Sequence, residues 1–209
     1  MDVESIWSCG WETLSASKDR GQTWHPLTNP LAEECLFLSF LDDQNGWAAS
    51  RSELAATKDG GNNWEGIILP EEITDIAAIS LRTPEAGYIL DFDQTLYSTD
   101  DGGESWTAKT LEIEDSDLEL VDVVGPSAAI HFLDNEHGMV ILNIAGGGRS
   151  KLVALLTSDG GQTWEHDTVP VGLGLLFLSH DGKYLTVTDF AGGGRFTILE
   201  HQSNVDSGN

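Results

Sequence analysis

Short apolar stretches and acidic, glycine-bearing turns alternate along this chain in an order that repeats. Leu36–Ser50 (LFLSFLDDQNGWAAS), Ile76–Phe92 (IAAISLRTPEAGYILDF) and Ala128–Ile144 (AAIHFLDNEHGMVILNI) each read as two apolar runs joined by a polar turn with a glycine. A third short run follows each of them: ELAAT at 53–57, TLYST at 95–99 and KLVALLT at 151–157. A tryptophan then opens a fourth, as in TWHPL (23–27) or SWTAKTLE (105–112). β-Branched, aromatic and alternating positions bounded by Gly, Asp and Asn are strand and turn signals, and nothing in the pattern has a helical period. Each repeat therefore predicts four short antiparallel strands, the content of one β-propeller blade.

Between the third and fourth strands lies the same corner four times: SKDRGQTW (17–24), TKDGGNNW (57–64), TDDGGESW (99–106) and TSDGGQTW (157–164). Their tryptophans, Trp24, Trp64, Trp106 and Trp164, fall 40, 42 and 58 residues apart, the period of a propeller or solenoid. Asp19, Asp59, Asp101 and Asp159 are placed to accept backbone N–H groups of their own turn, and the opening Ser or Thr offers a hydroxyl to the same network. Gly21, Gly61, Gly103 and Gly161 supply a left-handed residue without a steric cost. Burying one tryptophan of about 150–250 Å², at about 25 cal/mol per Å², contributes at most roughly 4–6 kcal/mol. The corner is thus a structural clasp for a hairpin, and its carboxylate is structural.

These corners resemble the Asp-box, or BNR repeat, S/T-x-D-x-G-x-T/S-W, with Arg20 at a position usually held by glycine and Asn63 in place of the final Thr/Ser. The unit form Phe40–Trp47 (F-x-D-x-x-x-G-W) followed by Thr57–Trp64 is similar to that of the photosystem II stability/assembly factor family. That resemblance implies a non-catalytic propeller that binds partner proteins and carries an arginine-rich patch on one face.

The expected fold is an all-β propeller of about five four-stranded antiparallel blades, forming one domain over 1–209 or part of a larger propeller. Its units run over about 1–30, 31–70, 71–122, 123–170 and 171–203, with a tail at 204–209. The first unit lacks an inner strand, and the fifth (174–201) has three strands and no Asp-box. The 58-residue spacing is attributed to an insert, LEIEDSDLELVDVVGP (111–126). Its acidic run, Glu112, Glu114, Asp115, Asp117 and Glu119, reads as a solvated loop or short outer strand.

Composition narrows the function. Thirty-five carboxylates against ten basic side chains give a net charge of −25. A polyanion is repelled by phosphate backbones and anionic lipid, so nucleic acid and membrane surfaces are not expected partners. No apolar run reaches the ~18 residues of a membrane helix, and MDVESIWSCG lacks the features of a signal peptide. As written, the chain reads as cytoplasmic, and as extracytoplasmic if its N-terminus is truncated. Cys9 and Cys35 fall in neighbouring units; one bridge is open to them, and two buried reduced thiols are the expected state.

In a propeller, the turns between second and third strands share the face away from the Asp-box corners. In register these turns hold Trp11 and Glu12, Arg51 and Ser52, Asp91 and Asp93, and two AGGGR segments at 145–149 and 191–195. Three of the ten basic residues, Arg51, Arg149 and Arg195, thus occupy equivalent turns. With glycine N–H groups beside them, they are candidates for binding an anion or a partner's carboxylate. The alternative is hairpin-tip arginines paired with neighbouring carboxylates.

Three such arginines also raise a sialidase-like reading. The Arg-Ile-Pro signature of that family does not occur, and Tyr88, Tyr97 and Tyr184 all fall in predicted strands. His131, His137 and His180 show no metal-ligand spacing, and no P-loop, G-x-S-x-G or complete EF-hand pattern is present. No metal or cofactor is therefore expected. The reading is a monomeric, non-enzymatic scaffold for a protein partner; the alternative is a glycan-processing or glycan-binding Asp-box protein.

Overall fold

The computed structural model describes residues 4–10, 13–113, 122–146, 149–169, 174–178, 184–189 and 196–200. Every regular element among them is a strand, and every strand pair is antiparallel. The chain divides into two compact units, Met1–Glu112 and Ile113–Asn209.

The first unit holds three sheets. β1 (Ile6–Gly10), β2 (Thr13–Ser17) and β3 (His25–Leu27) form the first. β4 (Phe37–Phe40), β5 (Gly46–Ala49), β6 (Leu54–Thr57) and β7 (Glu65–Ile67) form the second. The third consists of β8 (Ile76–Leu81), β9 (Gly87–Asp91), β10 (Thr95–Thr99) and β11 (Thr107–Thr110). In each, consecutive strands pair in chain order, as hairpins joined by short turns require.

In the third sheet burial falls from inner to outer strand: β8 and β9 are buried at every position and β11 is largely exposed, as is β7 of the second sheet. The second sheet covers the face that carries Ile79, Leu81 and Ile89. The core of this layer joins Trp47, Leu54, Ile76, Ile79, Leu81, Ile89 and Tyr97. Glycine opens the second strand of the second and third sheets for a steric reason. A Cβ at Gly46 would overlap the ring of its cross-strand partner Phe40, and one at Gly87 would overlap the indole of Trp47. The glycine that opens the second strand therefore makes room for an aromatic side chain close to the backbone.

Neighbouring sheets are pinned by specific bonds. Trp7 stacks on Phe40 with centroids 3.8 Å apart and donates Nε1–H to the Gly60 carbonyl at 3.0 Å. The Leu81 amide donates to Ser39 Oγ at 2.8 Å. Cys9 and Cys35 form a disulfide, which corrects the expectation of two reduced thiols. Packing of β1 beside the segment leading into β4 brings their Cα atoms to 5.6 Å, within the span a disulfide bridges.

The second unit holds a four-stranded sheet of β12 (Asp122–Phe132), β13 (Gly138–Gly146), β14 (Arg149–Thr157) and β15 (Glu165–Val169). A three-stranded sheet follows, of β16 (Gly174–Leu178), β17 (Tyr184–Asp189) and β18 (Phe196–Glu200). β12, β13 and β14 have 11, 9 and 9 residues, against 6, 5 and 5 in β8, β9 and β10. The wide spacing between the third and fourth corners thus comes chiefly from longer strands, which corrects its attribution to an insert alone. Asp122–Pro126 belongs to β12, where the pairing shifts between Val123 and Ala128; residues 114–121, with Glu114, Asp115, Asp117 and Glu119, lie outside the described residues. No helix among the described residues is long and apolar enough to cross a membrane.

Candidate functional site

The four corners adopt one hydrogen-bonded form. In the first, Ser17 Oγ donates to Asp19 Oδ1 at 2.7 Å and accepts the Gly21 amide at 2.8 Å. Asp19 then accepts the Thr23 amide and hydroxyl at 2.8 and 2.6 Å. The same set recurs around Asp59, Asp101 and Asp159. Asn63 fits because its side-chain amide donates to Asp59 Oδ2 at 2.6 Å, where the other corners use a hydroxyl. Side-chain and then backbone donors from Thr23, Ser105 and Thr163 hold Asp19, Asp101 and Asp159 at a pKa of about 2. Asp59 is lowered in the same way by Asn63.

Gly21, Gly61, Gly103 and Gly161 take φ between +83° and +92°. The residue before each is left-handed as well: Gly60, Gly102 and Gly160 at +73° to +77°, and Arg20 at +60°. Trp24 and Trp64 donate their indole N–H to the carbonyls of Gly21 and Gly61 at 3.1 and 2.9 Å. Each corner also reaches back along the chain: the Gly60 amide donates to the Gln44 carbonyl, Gly102 to Glu85 and Gly160 to Glu136, at 2.6–2.8 Å, and the Arg20 amide to Glu4 at 3.0 Å.

The turns between second and third strands are tied differently. Arg51 Nη1 meets Asp75 Oδ1 at 2.6 Å, and its guanidinium lies 5.3 Å from the centroid of Phe92. Asp91 is buried; its Oδ2 accepts the amides of Thr74 and Asp75 at 2.9 and 3.2 Å. Glu53 does the same one sheet earlier, accepting the amides of Ala32 and Glu33 at 2.9 and 3.2 Å. In both sheets a turn carboxylate caps the segment leading into the first strand. Ser52 joins this set through Glu33, and Asp93 Oδ1 accepts the Thr95 amide.

Of the candidate arginines, Arg51 is placed against a carboxylate and a ring. Arg149 opens β14 opposite Gly146, with its side chain outside what is described; Arg195 lies outside the described residues, as do Trp11, Glu12 and His180. Sequence reasoning missed Asp75 and Glu53. Glu53 directly follows the turn position Ser52, whereas Asp75 precedes the predicted strand at Ile76 and nothing local marks it as the partner of Arg51.

Tyr88 and Tyr97 are buried in β9 and β10, and burial raises the pKa of both hydroxyls. Tyr184 opens β17. His137 pairs with Asp134 at 3.0 Å. Among the described residues, no group of three or more His, Cys, Asp or Glu side chains is placed to hold a metal ion.

Repeated antiparallel sheets, each four-stranded one closed by an Asp-box corner, define the class: an Asp-box β-propeller fold. Solved β-propeller structures are similar to this chain. YCF48 from Cyanidioschyzon merolae matches with a TM-score of 0.63 and 19% identity, over 99% of this chain and 66% of that one. The GH74 enzyme of Niastella koreensis matches with a TM-score of 0.58 and 17% identity, over 95% of this chain and 28% of that one. The WD40 repeats of RRP9 match with a TM-score of 0.57 and 12% identity, over 89% and 69%. The chain thus spans just under two thirds of the YCF48 structure and little more than a quarter of the enzyme. At these identities the likeness is one of fold. No protein-family model matches the sequence, and no curated protein matches it.

Proposed function

We propose that this protein is a non-catalytic scaffold that binds a protein partner through the turns on the face away from the Asp-box corners, as an assembly factor does. The observation that carries this reading is how the polar groups of the repeat are used. The corner carboxylates are each satisfied by hydroxyl, amide and backbone donors, and Asp91 and Glu53 cap backbone N–H groups. Asp91 and Glu53 so engaged hold turns of the proposed binding face, while the corner carboxylates hold the opposite ends of the hairpins. Turns held before binding lose less entropy when a partner arrives, which favours recognition by a rigid surface. YCF48 and RRP9 share the fold, and the family resemblance of the Phe40–Trp64 unit points the same way.

Arg51, Arg149 and Arg195 are the residues assigned to the partner's carboxylate or another anion. Arg51 is half-exposed in its pairing with Asp75, so it can serve a partner without being stripped from a buried site. The test compares wild type with R51E/R149E/R195E, both shown to be folded by circular dichroism. Each is used to retain cross-linked partners from an extract of the source organism, and each is assayed on a panel of fluorogenic glycosides. A partner retained by wild type and lost by the variant, with no glycoside turned over, is the expected result. Turnover would overturn the reading in favour of a glycan-processing enzyme, and unchanged retention would remove the arginines from it.

A further inference from the structure

Successive sheets of the first unit meet through one repeated contact. Gly61 faces Leu27 of β3, so that a Cβ there would sit 2.9 Å from Leu27 Cδ1 and 3.3 Å from the indole of Trp64. Gly103 faces Ile67 of β7 in the same way, with distances of 2.5 Å to Cγ2 and 3.4 Å to the indole of Trp106. Leu27 and Ile67 each stand three residues after a corner tryptophan. A branched aliphatic side chain from one sheet thus fills a notch between the glycine and the indole of the next.

Among the described residues, nothing plugs the notch of the first corner: a Cβ at Gly21 would have only Ile6 Cδ1 and the Trp24 indole beside it, both at 3.8 Å. Trp24 is 44% exposed and Ile6 39%, whereas Trp64 and Trp106 are partly buried.

The rest of that sheet face indicates what size of occupant fits. By register, Ser8, Ser15 and Pro26 stand where the second sheet has Ala48, Ala55 and Gly66. Ala48 and Ala55 are fully buried, while Ser8 and Pro26 are exposed. At Ser8 and Ser15 the face is therefore polar where the corresponding sheet-on-sheet interface buries Ala48 and Ala55, and its exposed large apolar side chains are Ile6 and Trp24, beside Gly21. A net charge of −25 on each molecule opposes a second copy of the chain as the occupant.

We propose that the notch of Ile6, Gly21 and Trp24 is a docking site for a single Leu or Ile side chain carried on an extended segment of a partner protein. The side chain seats as Leu27 and Ile67 seat within the molecule, and the flanking backbone lies along the polar face. The proposal rests on the protein-binding reading for the source of the segment. Its test uses the notch alone, so the two can fail separately.

The probe is a synthetic peptide, QTWHPLTNP, which copies residues 22–30 and carries Leu27, beside its Leu27→Ala form. The full chain is labelled with fluorotryptophan, the Trp24 resonance is assigned with Trp24→Phe, and each peptide is titrated by fluorine NMR. A saturable shift confined to Trp24 is expected. The alanine peptide should bind roughly 10-fold more weakly, the loss that removing one buried aliphatic side chain produces. Ile6→Asp should abolish the shift while the other tryptophan resonances stay in place, and Ile6→Ala should weaken it. The proposal is overturned by no saturable shift, by equal binding of the alanine peptide, or by a Trp24 resonance that is solvent-protected in the free protein, which would mean the chain fills the notch itself.

Discussion

Gly102 and Gly103 are adjacent, both left-handed, and separate two costs that usually come together. Gly102 has φ +77° and nothing within 4 Å of an added Cβ; Gly103 has φ +91° and would place its Cβ 2.5 Å from Ile67 Cγ2. Gly102→Ala therefore isolates the backbone cost of an L-residue in the left-handed region, about 1–2 kcal/mol. Gly103→Ala adds overpacking against a partly buried side chain that packs on the core, about 1–3 kcal/mol more. Truncating Ile67 to alanine removes the clashing atoms, so the extra penalty should shrink in the Ile67→Ala background, with a coupling energy of at least about 1 kcal/mol. Urea and thermal unfolding followed by tryptophan fluorescence would measure the three single variants and the Ile67→Ala/Gly103→Ala double variant against wild type. At about 2–4 °C per kcal/mol for a chain of this size, the gap between the two single variants is several degrees. Equal destabilisation by the two alanines would refute the reasoning. So would a coupling energy within about 0.5 kcal/mol of zero, because the contact between Ile67 and the corner would then not be what demands glycine.

Other consequences are open to direct measurement. Asp101 is held at about 2 in the folded protein, below its ordinary 3.8. The stability it contributes is complete above pH 4 and is lost as pH falls through about 2; the difference in urea midpoint between wild type and Asp101→Asn should close over that window, and a gap that persists below it would contradict the assignment. Reduction of Cys9–Cys35, which closes a 26-residue separation, should cost about 3–4 kcal/mol by chain entropy. Cys9→Ser/Cys35→Ser should match the reduced protein and ignore added reductant, whereas a reductant-sensitive variant would contradict this. Arg20 occupies a left-handed position where the other corners have glycine, and its exposed pair with Glu4 is long at 3.8 Å. Arg20→Gly is expected to leave the melting temperature unchanged or raise it, by up to about 1 kcal/mol in stability; a clear loss would show that the arginine's contacts outweigh its backbone cost.

The corners were legible because all their side-chain bonds lie within a few residues: Thr99, Asp101, Gly103 and Ser105 satisfy one another whatever surrounds them. Strand content and the three-stranded first and last sheets followed from the same local spacing. Features that depend on two distant segments were not legible. The Cys9–Cys35 bond needs two sheets to pack, and Arg51 finds Asp75 across 24 residues. The insert at 111–126 read as a solvated loop or short outer strand, yet β12 runs through its residues 122–126 with a break in register, since a long strand can absorb a proline at a bulge. Arg20 hid a second left-handed residue, because glycine marks such a site and arginine does not. Of the candidate binding site, the sequence showed the arginine at position 51 but not the carboxylate that holds it.

The brackets that close each hairpin are self-contained, and this frees the rest of the sheet to drift. Strands of five residues and of nine hang from brackets of the same geometry, and an asparagine replaces a hydroxyl in one of them without loosening it. A fold closed by such brackets can tolerate change at the far ends of its hairpins. The same independence makes those far ends the natural place to graft a new recognition loop.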